Sequence, residues 1–162
     1  MVGGCASVVG GQPAPVGSSE ATGVQPARPR EVRLDGVDPC SLLTEEQRAE
    51  LGLDGRPLLD VGPSRLYNGE VPLCVISGFE PRAIAVGLSL VTTAGIELLT
   101  SGELLVELRP MQVRGFPALL AVETRNTDSC SVIVDVAPGQ LLDIQFRDGG
   151  RNPPIPQPFD ET

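Results

Sequence analysis

The sequence predicts an α+β domain: a twisted antiparallel sheet of five to six strands with one N-terminal helix packed on one face. Three observations predict it. Short runs in which Val, Leu or Ile alternate with small or polar residues recur from Leu58 to Arg147, separated by turn signals. A helix start, a helix stop and a cysteine coincide in one stretch, Asp38 to Leu53. The chain carries 19 Gly and 16 Pro, crowded at its two ends, so the middle is the part that folds. The 162 residues accordingly divide into an N-terminus and tether over 1–37, a single domain over 38–147 and an extended Pro/Gly-rich tail over 148–162.

Composition limits the function classes. A hydrophobic fraction of 41% supports a core, but with 3% aromatic residues that core must be built from aliphatic side chains. The net charge is -9, every basic residue is arginine and no cluster of them survives as a patch, so nucleic-acid binding lacks its electrostatic footprint. The absence of histidine excludes imidazole acid–base chemistry and His-ligated metal, and the absence of lysine excludes a Schiff base. No cysteine pair has zinc-ligand spacing, and the carboxylate pairs Glu45–Glu46 and Asp160–Glu161 read as solvated surface. No cofactor is implied, and no catalytic, cofactor-binding or metal residue is assigned.

Taken in order, Val2-Gly3-Gly4-Cys5 has the form of a lipobox, in which small residues before a cysteine precede its acylation. Met1 stands almost against it, without the charged and apolar segments of a signal peptide, so the expectation is a truncated start; with Met1 genuine, the protein is cytoplasmic. Ala6 to Val37 is Gly, Pro, Ser, Ala and Val with no period, which reads as a disordered tether with a span of roughly 30 Å. No stretch approaches the roughly 18 apolar residues of a spanning helix, so a membrane link would be by lipid alone.

Asp38 caps a first turn with Pro39 at its favoured position, and Thr44 with Gln47 forms a capping box, with Glu45 and Glu46 at the positive end of the helix dipole. Gly52 stops the helix. Leu42, Leu43, Ala49, Leu51 and Leu53 are its apolar contacts, too few to stand alone. Strands follow at Leu58 to Val61, Val71 to Ser77 and Ala83 to Val91, the last with Ile84, Val86, Leu88 and Leu90 on one face and Ala85, Gly87 and Ser89 on the other. Thr92 or Thr93 caps a short helix over Gly95 to Thr100. Leu104 to Leu108 and Met111 to Val113 form a strand broken at Pro110. Ala118 to Thr124, Cys130 to Val136 and Leu141 to Arg147 make a meander, in which Ser131, Asp135, Asp143, Gln145 and Arg147 define a wet face.

The opening Asp38-Pro39-Cys40-Ser41-Leu42-Leu43-Thr44, the strand cysteine Cys74 and the late strand cysteine Cys130 resemble the actinobacterial lipoproteins grouped as domain-of-unknown-function family 3558. The resemblance covers roughly Asp38 to Arg147. It departs from the family pattern at Ile76, where an aromatic is common, and in the missing signal sequence. The family layout of lipobox cysteine, tether and domain implies lipidation of Cys5 and attachment at the cell surface, and it implies no activity, substrate or catalytic residue.

Three cysteines in the head allow one disulfide and one spare thiol. Closing either Cys40–Cys74 or Cys74–Cys130 removes roughly 4 kcal/mol of unfolded-chain freedom, which does not discriminate. Cys40–Cys74 is favoured because it staples the helix to the sheet; Cys74–Cys130 is the alternative. The leading functional reading is a non-enzymatic, lipid-anchored envelope module that binds a protein partner or a small apolar ligand. The alternatives are a hydrolase built on carboxylates and a tethered spacer.

Overall fold

The computed structural model describes residues 26–67, 69–101, 106–123 and 128–151. Cys5, the first part of the tether and the tail beyond residue 151 lie outside them. Among the described residues seven antiparallel strands form one sheet: β1 (Leu58–Pro63), β2 (Glu70–Gly78), β3 (Arg82–Val91), β4 (Val106–Val113), β5 (Phe116–Glu123), β6 (Ser129–Ala137) and β7 (Gln140–Arg151). Their order is β1-β2-β3-β7-β6-β5-β4. Successive strands are hairpins except at β3, where the chain passes through the short helix α2 (Glu97–Thr100) to the far edge and returns through β5 and β6, so that β7 closes against β3.

The expected five to six strands become seven. β4 continues through Pro110 because it is an edge strand, where a missing N–H removes no ladder bond that the sheet needs. β1, the other edge, pairs along its whole length with β2, from Leu58 opposite Val75 to Pro63 opposite Glu70. β7 runs to Arg151, past the Asp148 boundary expected for the tail.

Asp38 and Thr44 act as the local chemistry predicts. The Asp38 carboxylate accepts from the Cys40 N–H at the head of a 3-10 turn, Pro39–Ser41. The Thr44 hydroxyl accepts from Gln47 N–H, and Gln47 Oε1 accepts from Thr44 N–H, at the start of α1 (Glu45–Glu50). Gly52 ends the segment with φ +72°. The packing departs from the expectation: α1 has no buried residue, and Ala49 and Leu51 are exposed. Leu42 and Leu43 before the helix and Leu53 after it make the contacts, against Cys74, Ile76 and Leu88. Six helical residues are too short to present a continuous apolar face, so the flanking turns do the docking. α2 likewise begins without a side-chain cap, its N-cap being Ile96 rather than Thr92 or Thr93.

Other segments lie on both faces of the sheet, on the second only in part. On one, residues 32–53 lie over Leu90, Val134 and Val136 and, further along, over Cys74, Ile76 and Leu88. On the other, Tyr67, Ile96 and Leu99 cover Val71, Val91, Leu119, Ile133 and Leu141. Arg28 to Val37, which composition assigned to the tether, thus lies against the end of the β6–β7 hairpin. The Val32 N–H donates to Val136 O at 2.8 Å, the Leu34 N–H to Gln140 Oε1 at 2.8 Å, and the Arg28 guanidinium holds both Asp135 oxygens at 2.8 and 2.7 Å. The wet face expected of β6 and β7 holds at Gln145 and Arg147, which are exposed, and is corrected at two residues: Asp135 is 4% and Asp143 2% exposed, because Arg28 closes over one and the Tyr67 loop over the other.

Candidate functional site

Small residues on adjacent strands leave the second face hollow. The strand registers place Gly87 of β3 beside Gln145 of β7, then Ser131 of β6 and Ala121 of β5, in one row across the sheet. Ala85, Arg147 and Ser129 form the next row. Larger side chains rise on either side: Leu73 and Val75 from β2, Leu108 from β4, Ile133 from β6, with Leu66 and Leu99 from the connecting segments. They enclose a half-open cavity of about 460 Å³, within the range of small-molecule sites. A second hollow of about 280 Å³ adjoins it, and Leu66, Leu73, Asp143 and Gln145 belong to the walls of both.

Asp143 is the chemically informative residue. Tyr67 Oη donates to its Oδ2 at 3.0 Å and Gln145 Nε2 donates to the same oxygen at 3.2 Å. Oδ1 is buried and has no partner among the described residues. Burial pushes the Asp143 carboxyl above its usual range, against the opposing pull of Gln145 and Tyr67. Burial also raises the Tyr67 hydroxyl, and the Asp143 charge adds to it. Tyr67 reaches this position because Ser64 Oγ accepts from the Leu66 and Tyr67 N–H groups, while Ser64 N–H donates to Gly69 O across the β1–β2 loop.

The cavity does not present a carboxylate pair. Glu123, the other acid in its wall, stands two strands and four residues from Asp143 by register, about 16 Å between Cα positions, at the other end of the wall. Among the described residues no group of three or more Cys, Asp or Glu gathers that could hold a metal, and no helix is long and apolar enough to cross a membrane.

Of the residues the sequence singled out, Cys40 and Cys74 are brought together, bonded with Cα atoms 5.1 Å apart. That excludes the Cys74–Cys130 alternative, and Cys130, expected as the spare thiol, is disulfide-bonded too. With the opening motif and its bond to the β2 cysteine in place, the comparison with known families is decisive: a family model described as a protein of unknown function, DUF3558, matches residues 1–158. The chain belongs to this family. Neither a curated protein nor a solved structure matches it. In this DUF3558 chain the motif residues serve the fold: Asp38 caps, Pro39 is buried and Cys40 staples, all on the face away from the cavity. Asp143 and Tyr67 were missed, since Asp143 sits in an alternating strand where a polar residue reads as solvent-facing. The legible signal was the small face of β3, Ala85, Gly87 and Ser89.

Proposed function

We propose that this DUF3558 chain is a non-enzymatic binding module of the cell envelope, carrying a small, largely apolar ligand in the hollow of its sheet. The single observation that carries this reading is the half-open cavity of about 460 Å³, walled by Leu66, Leu73, Val75 and Leu108 on a face that the rest of the chain covers only in part. The Cys40–Cys74 disulfide supports an oxidising compartment outside the cytoplasm. The test is occupancy. Native mass spectrometry of protein from its own cells should retain a small molecule, and Ser131→Phe, which places a ring in the cavity, should lose it while remaining folded. Identical spectra for both proteins, with no bound species, would defeat the reading.

Attachment through Cys5 belongs to the same proposal, on the strength of its lipobox-like surroundings. An acylated Cys5 uses its sulfur in a thioether and is then closed to Cys130, for which it is the remaining cysteine of the four, so peptide mapping decides between the two: a diacylglycerol-bearing Cys5 peptide is expected, and Cys5 recovered in a disulfide-linked peptide removes the anchor and leaves the cavity reading standing.

One observation favours a protein partner as a second reading. Edge strand β1 exposes Leu58, Leu59 and Val61 at 63, 57 and 53%, an unprotected apolar edge of the sort that accepts an added strand. Under this reading, Leu59→Lys abolishes cross-linking to an envelope partner and leaves small-molecule retention intact.

A further inference from the structure

We propose that Asp143 anchors the head group of the cavity's ligand, and that this ligand is an amphiphilic amine: an ammonium on the Asp143 carboxylate with an apolar tail along Leu66, Leu73, Val75 and Leu108. The inference deepens the binding-module reading and rests on it. The two donors that reach Asp143 from the protein, Tyr67 Oη and Gln145 Nε2, both go to Oδ2. Oδ1 has no protein partner among the described residues, on a side chain that is 2% exposed. Native folds rarely leave a buried carboxylate oxygen unmatched, and a lone buried charge is costly until an opposite charge or several donors meet it. Asp143 belongs to the walls of both hollows, so its carboxylate stands where a ligand in either would meet it.

An ammonium suits this position better than other head groups. A carboxylate oxygen only accepts, which excludes another carboxylate or a phosphate as its partner. A hydroxyl would give one neutral donor, whereas an ammonium gives a donor and a compensating charge, roughly doubling the strength of the bond. The other charged groups in the cavity wall are Glu123 and Arg147, one of each sign, and the adjoining hollow adds Asp60 and Arg65, again one of each sign. Asp143 is the acid left to set the sign at the tail's head. Gln145, exposed and held only by the 3.2 Å bond, is the side chain that would swing aside to admit the amine.

The experiment compares three probes of equal tail, octylamine, octanol and octanoate, by calorimetry on the full chain, with Asp143→Asn and Glu123→Gln as variants. Wild type should bind octylamine about tenfold or more tighter than octanol and octanoate least, as expected of a charge-assisted hydrogen bond. Asp143→Asn should remove the amine's advantage while octanol binding persists, and Glu123→Gln should leave the advantage unchanged. Equal binding of all three probes by wild type overturns the anchor but leaves the cavity reading intact, whereas no binding of any probe overturns both. An amine preference that survives Asp143→Asn also overturns the anchor and assigns the preference to the chain's overall negative charge. The single tyrosine supplies a readout in wild type itself, independent of whether the variant folds. Because Tyr67 donates to Asp143, octylamine should perturb its ultraviolet difference spectrum and octanol should not.

Discussion

Arg114 is held at φ 52° and Gly115 at φ 83° in the two-residue turn between β4 and β5. A two-residue hairpin needs both central residues on the left-handed side, which glycine takes freely and arginine takes at a cost near 1 kcal/mol. Arg114→Asn, which creates the preferred Asn-Gly turn, should raise stability by about 0.5 to 1 kcal/mol, read as a higher urea midpoint at unchanged slope. Asp143 works in the opposite sense. Its folded carboxyl titrates above its unfolded value, so the native state holds the proton longer and stability falls as pH rises from about 4 through the folded value. Asp143→Asn should flatten that part of the pH–stability profile and cost nothing at neutral pH, the behaviour of a residue kept for binding rather than for the fold. Tyr67, raised as well, should resist ionisation until the chain unfolds, with stability declining above about pH 10 where the unfolded tyrosine loses its proton. Alkaline titration followed by tyrosine absorbance checks this on the one tyrosine present.

At the scale of elements, the segment from Asp38 to Leu53 shows how far local signals reach. Its caps bond within three residues, so sequence spacing alone is enough to read them. Its docking depends on a close approach that spacing does not encode. A Cβ at Gly78 would collide with Gly52 O, and the Gly55 N–H donates to Ser77 O at 2.7 Å. The chain leaving α1 is therefore laid directly on the end of β2. Gly78→Ala should push the two apart and cost about 2 kcal/mol or more, with loss of hydrogen-exchange protection concentrated at residues 52–55 rather than spread over the sheet. Strand existence was legible for the same local reason, through the alternation of Ile84, Val86, Leu88 and Leu90. Strand continuity at Pro110 was not, because a proline breaks a central strand and is tolerated at an edge, and sheet position is not a local property.

For the whole molecule, the Cys40–Cys74 bond closes a loop of sequence separation 34 around the turn, the short helix and edge strand β1. A helix without a buried residue has little packing to hold it, so the covalent link carries the attachment of this layer. Replacing both cysteines by serine should lower stability by up to about 4 kcal/mol, measured by chemical denaturation under non-reducing conditions. Leu42 and Leu43 should become more accessible, while the β3–β7–β6–β5 centre of the sheet stays protected from exchange. The cavity, on the opposite face, should keep its ligand in this variant, which separates the disulfide-held opening segment from the site proposed to bind.

What the sequence determined by itself is what neighbouring residues decide among themselves: the caps at Asp38 and Thr44, the turns at Gly52 and Pro138–Gly139, the alternating strands and the aliphatic character of the core. What tertiary structure decided is which of these meet. Tyr67 reaches Asp143 across 76 positions and Arg28 reaches Asp135 across 107, and each converts a carboxylate that the strand pattern assigns to water into a buried one. The physical reason is that a period-two pattern marks which side chains share a face, while the charge, burial and empty space on that face depend on chain segments that arrive from elsewhere.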